Sequence, residues 1–288
     1  MQKLRKHHYI PVFYLNQWAD GDGRLLKFSR PYGSVVKHEP TSPKKTGYER
    51  GLYRIPDVPE HLAEIIEQKF MTKMDDLAAE ALRNFLAGRL EGWTLPRKEA
   101  WSRFIVGLMM RNPENLERIK AELKRYGRQE YEAARKPGAA PFESIDALHT
   151  LKITLLSLET IINNKSLLDK VSSLQWGMVD VAGTGYRFLT SDRPVVRTDG
   201  LNKPESHLAV SLSPTRIFIA TNNDQTTADF QSMPPRDLVM HMNKRVVRNA
   251  IKYVWDTGLA NERLIKGQLS ADAHGDPVFF RGRAGQLY

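Results

Sequence analysis

Cysteine is absent from the 288 residues, which excludes both disulfide scaffolding and a thiol nucleophile. No run approaches the roughly 18 consecutive apolar residues of a membrane span, so no membrane partner is expected. The chain also lacks the short motifs of several large enzyme classes. It has no Walker loop, no Gly-x-Gly-x-x-Gly, no His-Glu-x-x-His and no Gly-x-Ser-x-Gly. Internal repeats and low-complexity tracts are missing too, which argues against a solenoid or an array. The 19 glycines and 16 prolines follow no period, so the chain is not collagenous. The first residues, Met1 to His8, carry no apolar core of a secretion signal, and the expected location is the cytoplasm.

What is present is a foldable, basic chain. Hydrophobic residues make up 41%, enough for a core and too many for a disordered chain. Lysine and arginine number 43 against 33 acidic residues, a net charge of +10. The excess is uneven: residues 1–50 hold ten basic residues and four acidic ones. Further basic stretches run from Arg118 to Lys136 and through Arg236, Lys244, Arg245, Arg248 and Lys252. A basic surface gathers phosphate-rich partners, nucleic acid or nucleotide among them; the plainer reading is a solvated coat.

Hydrophobic periodicity predicts an α+β fold, with a central helical region flanked by an N-terminal hairpin and a C-terminal, mostly antiparallel sheet. One domain is expected, with a β-rich segment over 1–57, helices over 58–170 and an α+β region over 171–288. Pro11 suits the start of a helical turn, and Asp20-Gly-Asp-Gly23 reads as a turn, since it lacks the spacing of a calcium loop. Arg24–Ser29 and Ser34–His38 read as a strand pair around Pro31-Tyr-Gly33. Apolar spacing of three and four predicts a helix from Pro59 through Ile66, Phe70, Met74, Leu77, Ala81 and Phe85. Further helices are expected over 97–111, 114–135, 143–169 and 235–255, with a linker at Lys136–Pro141. The 143–169 stripe is Leu148, Leu151, Leu155, Leu158 and Ile162. Strands are expected at Gln175–Val181, Tyr186–Thr190, His207–Leu212, Ile217–Thr221 and Val278–Arg281.

Some polar residues fall where the pattern calls for apolar ones. Arg111 lies three residues after Leu108 and seven after Phe104, on the apolar face of its helix. A buried guanidinium must be paired, either in a structural ion pair or with an anion. Asn243 occupies the stripe of the 235–255 helix, and Asn249 is a weaker case; a satisfied core amide is the competing role. Asp192 and Ser191 follow the apolar 186–189 segment, at a strand end where site residues gather. Asp192 could equally hold backbone amides in a turn. His7 and His8 precede Tyr9-Ile10-Pro11; on extended backbone they point in opposite directions. Neutral imidazole suits metal binding or proton transfer, and the alternative is a merely basic N-terminus. Tyr9, Phe13, Tyr14 and Trp18 fit base stacking, though Phe13, Tyr14 and Trp18 also fit packing at near-helical spacing.

Lys6-His-His-Tyr-Ile-Pro-Val-Phe-Tyr-Leu15 resembles the opening of a large, mainly bacterial family of unknown function with a His-His-Tyr-x-Pro-x-Phe-Tyr-Leu signature. The resemblance extends to Arg111-Asn-Pro113, Phe188–Val195, Leu212-Ser-Pro214 and the Asn243/Asn249 helix, over about residues 6–255. Arg193 stands where asparagine is more usual, which sets a cation beside Asp192. The resemblance implies no activity, but it marks His7, His8, Arg111, Asp192 and Asn243.

These residues are expected to converge on one cleft. In that cleft the chain would act as a hydrolase or nuclease on a phosphate-containing substrate. A histidine would serve as general acid or base, Asp192 would orient it or help hold a divalent metal, and Arg111 would stabilise charge. Tyr14, Ser191, Asn243 and Asn249 would contact substrate. No cofactor is specified, although a single divalent metal with histidine ligands would fit. The alternatives are a non-catalytic nucleic-acid or nucleotide-binding module and a purely structural buried polar network.

Overall fold

A computed structural model describes residues 6–33, 35–52, 71–89, 94–134, 159–198 and 200–269. Its fold is α+β, with antiparallel sheets and a central helical region. The start of the helix expected from Pro59, the Lys136–Pro141 linker, residues 143–158 and the Val278–Arg281 strand all lie outside the described residues.

Strand β1 (Lys6–His8) is followed by a one-turn helix α1 (Val12–Leu15). Pro11 precedes α1, where its missing amide proton costs nothing. The Asp20 side chain closes the next turn, with Oδ1 accepting from the amides of Asp22 and Arg24. Strands β2 (Leu25–Tyr32) and β3 (Val35–Thr41) then form the expected hairpin. Gly33, at φ 58°, supplies the left-handed residue that the tight connection needs. Strand β4 (Tyr48–Arg50) returns to pair with β1, setting His7 opposite Glu49 and His8 opposite Tyr48. This small sheet was not anticipated, because three-residue strands carry no readable period.

The helical region comprises α2 (Thr72–Leu86), α3 (Leu95–Met110), α4 (Pro113–Ala134) and α5 (Lys165–Ser173). Helix α3 is the central one, buried at every residue from Trp101 to Met110 except Arg103. It ends at Arg111 because Pro113 disfavours a helical Asn112 and opens α4 instead. The Asn112 side chain accepts from the Asn115 amide at 2.9 Å and so caps the new helix. Leu77, expected on the buried stripe of α2, is exposed; the buried face runs through Met74, Ala78, Ala81, Leu82 and Phe85. The single helix expected over 143–169 breaks at Asn164, whose side chain accepts from the Leu167 amide and starts α5.

Strand β5 (Gln175–Asp180), β6 (Thr190–Ser191), β7 (Val195–Arg197), β8 (His207–Ser211) and β9 (Arg216–Thr221) follow. Helices α6 (Asp224–Ser232) and α7 (Pro235–Asn249), strand β10 (Tyr253–Asp256) and helix α8 (Glu262–Gln268) complete the described chain. One sheet has the order β5-β9-β8-β7, and the other β3-β2-β10-β6. The second joins the N-terminal hairpin to two late strands. Two expectations change here. The Tyr186–Thr190 strand shrinks to Thr190–Ser191. The Phe188 amide bonds Pro214 O and the Leu189 amide bonds Asn243 Oδ1, so neither joins a ladder. The helix expected to reach 255 stops at Asn249, and residues 253–256 are strand.

An aromatic cluster fills the core between α3 and the β5-β9-β8-β7 sheet. Trp101 lies 4.9 Å from Phe85, 5.1 Å from Phe104 and 5.8 Å from Phe218, ring centre to ring centre. Tyr14 and Trp18 are fully buried and Phe13 partly so, packed on the core as their spacing allowed; Tyr9, outside that spacing, is also buried. A second apolar cluster sits under α7, built from Phe28, Phe188, Ile217, Leu238, Met242 and Val246 among others. Trp101→Ala should lower unfolding free energy by about 3–5 kcal/mol through loss of burial and the cavity left behind. Urea denaturation followed by circular dichroism measures this.

Candidate functional site

Strand β1 brings both histidines into the body of the protein. His7 is buried and His8 half-buried. The His8 ring meets Tyr48 edge-on at 5.5 Å, and the Lys6 ammonium lies 4.4 Å over the same tyrosine. Burial lowers the His8 pKa from its ordinary 6.5, and the charge of Lys6 lowers it further; the Lys44 backbone opposes this, and Arg111 and His7 add to the lowering. The ring is therefore neutral at pH 7. Its Nε2 is buried and has no hydrogen-bond partner among the described residues.

Arg111, at the C-terminal end of α3, is 0% exposed. Its Nη1 donates to Asp75 Oδ1 on α2 at 2.8 Å, and its guanidinium lies 5.7 Å from the Phe104 ring centre. Nε and Nη2 have no partner among the described residues. Asp75 was missed in the sequence, although it stands on the buried face of α2, three residues before Ala78 and seven before Leu82. Burial raises its pKa, against the charge and hydrogen bond of Arg111.

Asp192 sits just past β6 and is 4% exposed. Its Oδ1 accepts from the Ile251 amide at 3.0 Å, and its Oδ2 from the Lys252 and Tyr253 amides at 2.5 and 3.1 Å. Its own amide donates to Tyr253 O at 3.0 Å. Burial pushes the carboxyl up to about 6, against the three amide bonds, which favour the charged form. The carboxylate thus holds the turn between α7 and β10.

Around these groups lies a charged rim that sequence reasoning did not find. Glu114, in the first turn of α4, lies 3.4 Å from Lys252 and 4.0 Å from Arg193. Lys252 is also 3.9 Å from Glu49 on β4. Beneath the rim is Tyr9, whose phenol is held well above its usual range by burial and by the charges of Asp192, Tyr253, Glu114 and Glu49. Nothing in the local sequence of Lys252 or Glu49 signals this role, because it arises only when β1, β4, α4 and β10 meet.

His8 lies within electrostatic reach of Arg111 and His7, and Asp192 of Tyr9, but neither of the two cavities described for this structure is lined by His7, His8, Arg111 or Asp192. Asn249 lines a cavity of about 30 Å³ with Asn112, Arg193 and Arg197, room for about one or two waters. Arg193, where the sequence departs from the more usual asparagine, is 8% exposed, with its Nη2 donating to Asn112 Oδ1 at 3.4 Å.

The remaining candidates are engaged elsewhere in the scaffold. Asn243 accepts from the Leu189 amide at 2.8 Å and donates to Arg187 O at 2.9 Å, which is the core-amide arrangement. The Tyr14 hydroxyl donates to Ser211 O at 2.8 Å and accepts from Thr190 Oγ1 at 2.9 Å. Ser191 Oγ accepts from the Arg193 amide at 3.1 Å. Among the described residues no group of three or more His, Cys, Asp or Glu is arranged to hold a metal ion.

A family model described as a protein of unknown function, DUF4238, matches residues 6–257, most of the chain. No curated protein and no solved structure matches it. The amide bonds of Asp192 generate a direct expectation. Asp192→Asn should cost about 1–3 kcal/mol of stability, because an amide group cannot accept from all three part-buried donors. The same variant should increase hydrogen exchange at residues 251–253, which a purely catalytic carboxylate would leave unchanged.

Proposed function

The chain belongs to this family of unknown function, and from its geometry we propose that it binds a phosphate-containing ligand at the Arg111–His8 site and hydrolyses its ester. The observation that carries the proposal is the pair of buried nitrogens on Arg111, Nε and Nη2, that have no partner among the described residues. A buried guanidinium with two nitrogens unsatisfied costs several kcal/mol, and an anion bound bidentately removes that cost. Nε and one Nη form the planar fork that matches two oxygens of a phosphate or carboxylate. The charge of Arg111 reaches His8, whose Nε2 also has no partner among the described residues.

The chemistry that suits this pair is attack by water on phosphorus. Neutral His8 takes a proton from the attacking water as the new phosphorus–oxygen bond forms. The bond to the leaving oxygen breaks, and the histidinium returns the proton to that oxygen. Arg111 balances the charge that develops on the non-bridging oxygens. Asp192 acts as a positioning residue, holding β6 and β10 where Tyr9 and the Glu114–Lys252 rim meet the histidine strand. The basic first fifty residues would gather such a substrate.

Inorganic phosphate should raise the melting temperature of the full chain, and phosphate at a hundred times its Kd should add about 2.7 kcal/mol of stability. Arg111→Met should remove that effect, and Arg111→Lys, which keeps the charge without the fork, should weaken it. With bis(p-nitrophenyl) phosphate as substrate, His8→Ala should abolish turnover while phosphate stabilisation persists. Because burial lowers the His8 pKa, the loss of turnover on acidification should come at lower pH than for an ordinary histidine base. Phosphate with no effect on stability would rule out the anion site. Phosphate binding without turnover would leave a binding module.

A further inference from the structure

The β2-β3 hairpin builds a second feature, independent of the Arg111–His8 reading. Strand register sets its composition. Lys37, Ser29 and Tyr253 stand in one row across β3, β2 and β10, and Glu39, Lys27 and Trp255 stand in the next. Side chains alternate across a strand, so these share one face, on which Trp255 is buried and Lys37 exposed, while Phe28 and Val254, both 0% exposed, pack into the core from the other. Toward the hairpin tip that face opens to solvent at Lys37, while Lys27 is largely covered.

On that surface lies a cavity of about 650 Å³, lined among others by Lys27, Arg30, Tyr32, Lys37, Lys252 and Tyr253. The size falls within the range of small-ligand sites. Two cation–ring pairs are already formed there. The Lys27 ammonium lies 5.2 Å over Tyr253, and the Lys37 ammonium 5.0 Å over Tyr32. Tyr32 is 73% exposed, so a large ring face stands in water at the hairpin tip. Lys27 is neutralised by Glu39 at 2.5 Å. Lys37 has no carboxylate partner among the described residues, and it sits beside the exposed ring.

We propose that this cavity is a binding site for single-stranded nucleic acid or a nucleotide, a phosphate group carrying a heteroaromatic base. The base stacks on Tyr32, and Lys37 neutralises the adjacent phosphate. Alternation of exposed rings with ammonium groups suits such a ligand, because every base has a face to stack and every link carries a charge. An acidic peptide would use the lysines and leave the tyrosine without a partner.

The test is fluorescence anisotropy of the full chain with a labelled ten-residue oligothymidylate, with thymidine monophosphate and inorganic polyphosphate as competitors. Tyr32→Ala should weaken oligonucleotide binding roughly tenfold, since stacking contributes about 1–3 kcal/mol per base. Lys37→Ala should weaken binding and reduce the slope of log affinity against log salt by about 0.7. Both residues stand on the outer face of the hairpin, so folding is retained. Displacement by the monophosphate at comparable concentration assigns a nucleotide site, and displacement only by longer strands assigns a strand site; either supports the proposal. Absence of binding overturns it. So does binding that Tyr32→Ala leaves unchanged, or that polyphosphate displaces as well as the oligonucleotide does. Loss of binding in His8→Ala with no loss in Tyr32→Ala would move the ligand to the histidine site and overturn it as well.

Discussion

One carboxylate organises the junction on which the candidate site depends. Asp192 gathers three consecutive backbone amides, Ile251 to Tyr253, at the point where α7 gives way to β10. Without an acceptor there, three part-buried donors would lose their protein partner at once. With it, the chain leaves the helix, turns and enters the sheet between β2 and β6. The same turn presents Lys252 to Glu114 and Glu49, and presents Tyr253 to the hairpin cavity. Both proposed sites therefore share a hinge point, though they use different side chains.

Arg111 and Asn243 show how similar sequence anomalies separate in three dimensions. Each is a polar residue on an apolar helical stripe, and each is essentially unexposed. Asn243 meets its demands with the amide of Leu189 and the carbonyl of Arg187. It stabilises a strand-like segment that has no ladder of its own. Arg111 meets only part of its demand, through Asp75. The difference between a filled and an unfilled hydrogen-bonding capacity is what separates a scaffold residue from a binding candidate here.

The sequence revealed the α+β class, the hairpin and most of α3, α4, β5, β8 and β9, because each has a long apolar period or a proline boundary. It failed where local pattern is overruled by distant partners. Residues 253–256 look helical in their own neighbourhood and become strand because β2 offers them a ladder. Tyr186 to Leu189 look like strand and are drawn out of it by Pro214 and Asn243. At the site, Arg111 and Asp192 were visible as polar residues out of place. Asp75 was visible by the same rule and was passed over. Glu49, Glu114 and Lys252 gave no signal, since their role depends on elements far apart in the chain.

The pairing of β10 with β2 joins Tyr253 to Ser29 across more than two hundred residues. On a ribosome adding about 5–20 residues per second, the hairpin must wait on the order of tens of seconds for its neighbour to emerge. Until then the open edge of β2 is a template for any extended chain nearby. Lys27 and Arg30 along that strand, whatever they later bind, repel a second copy of the nascent polypeptide during that interval.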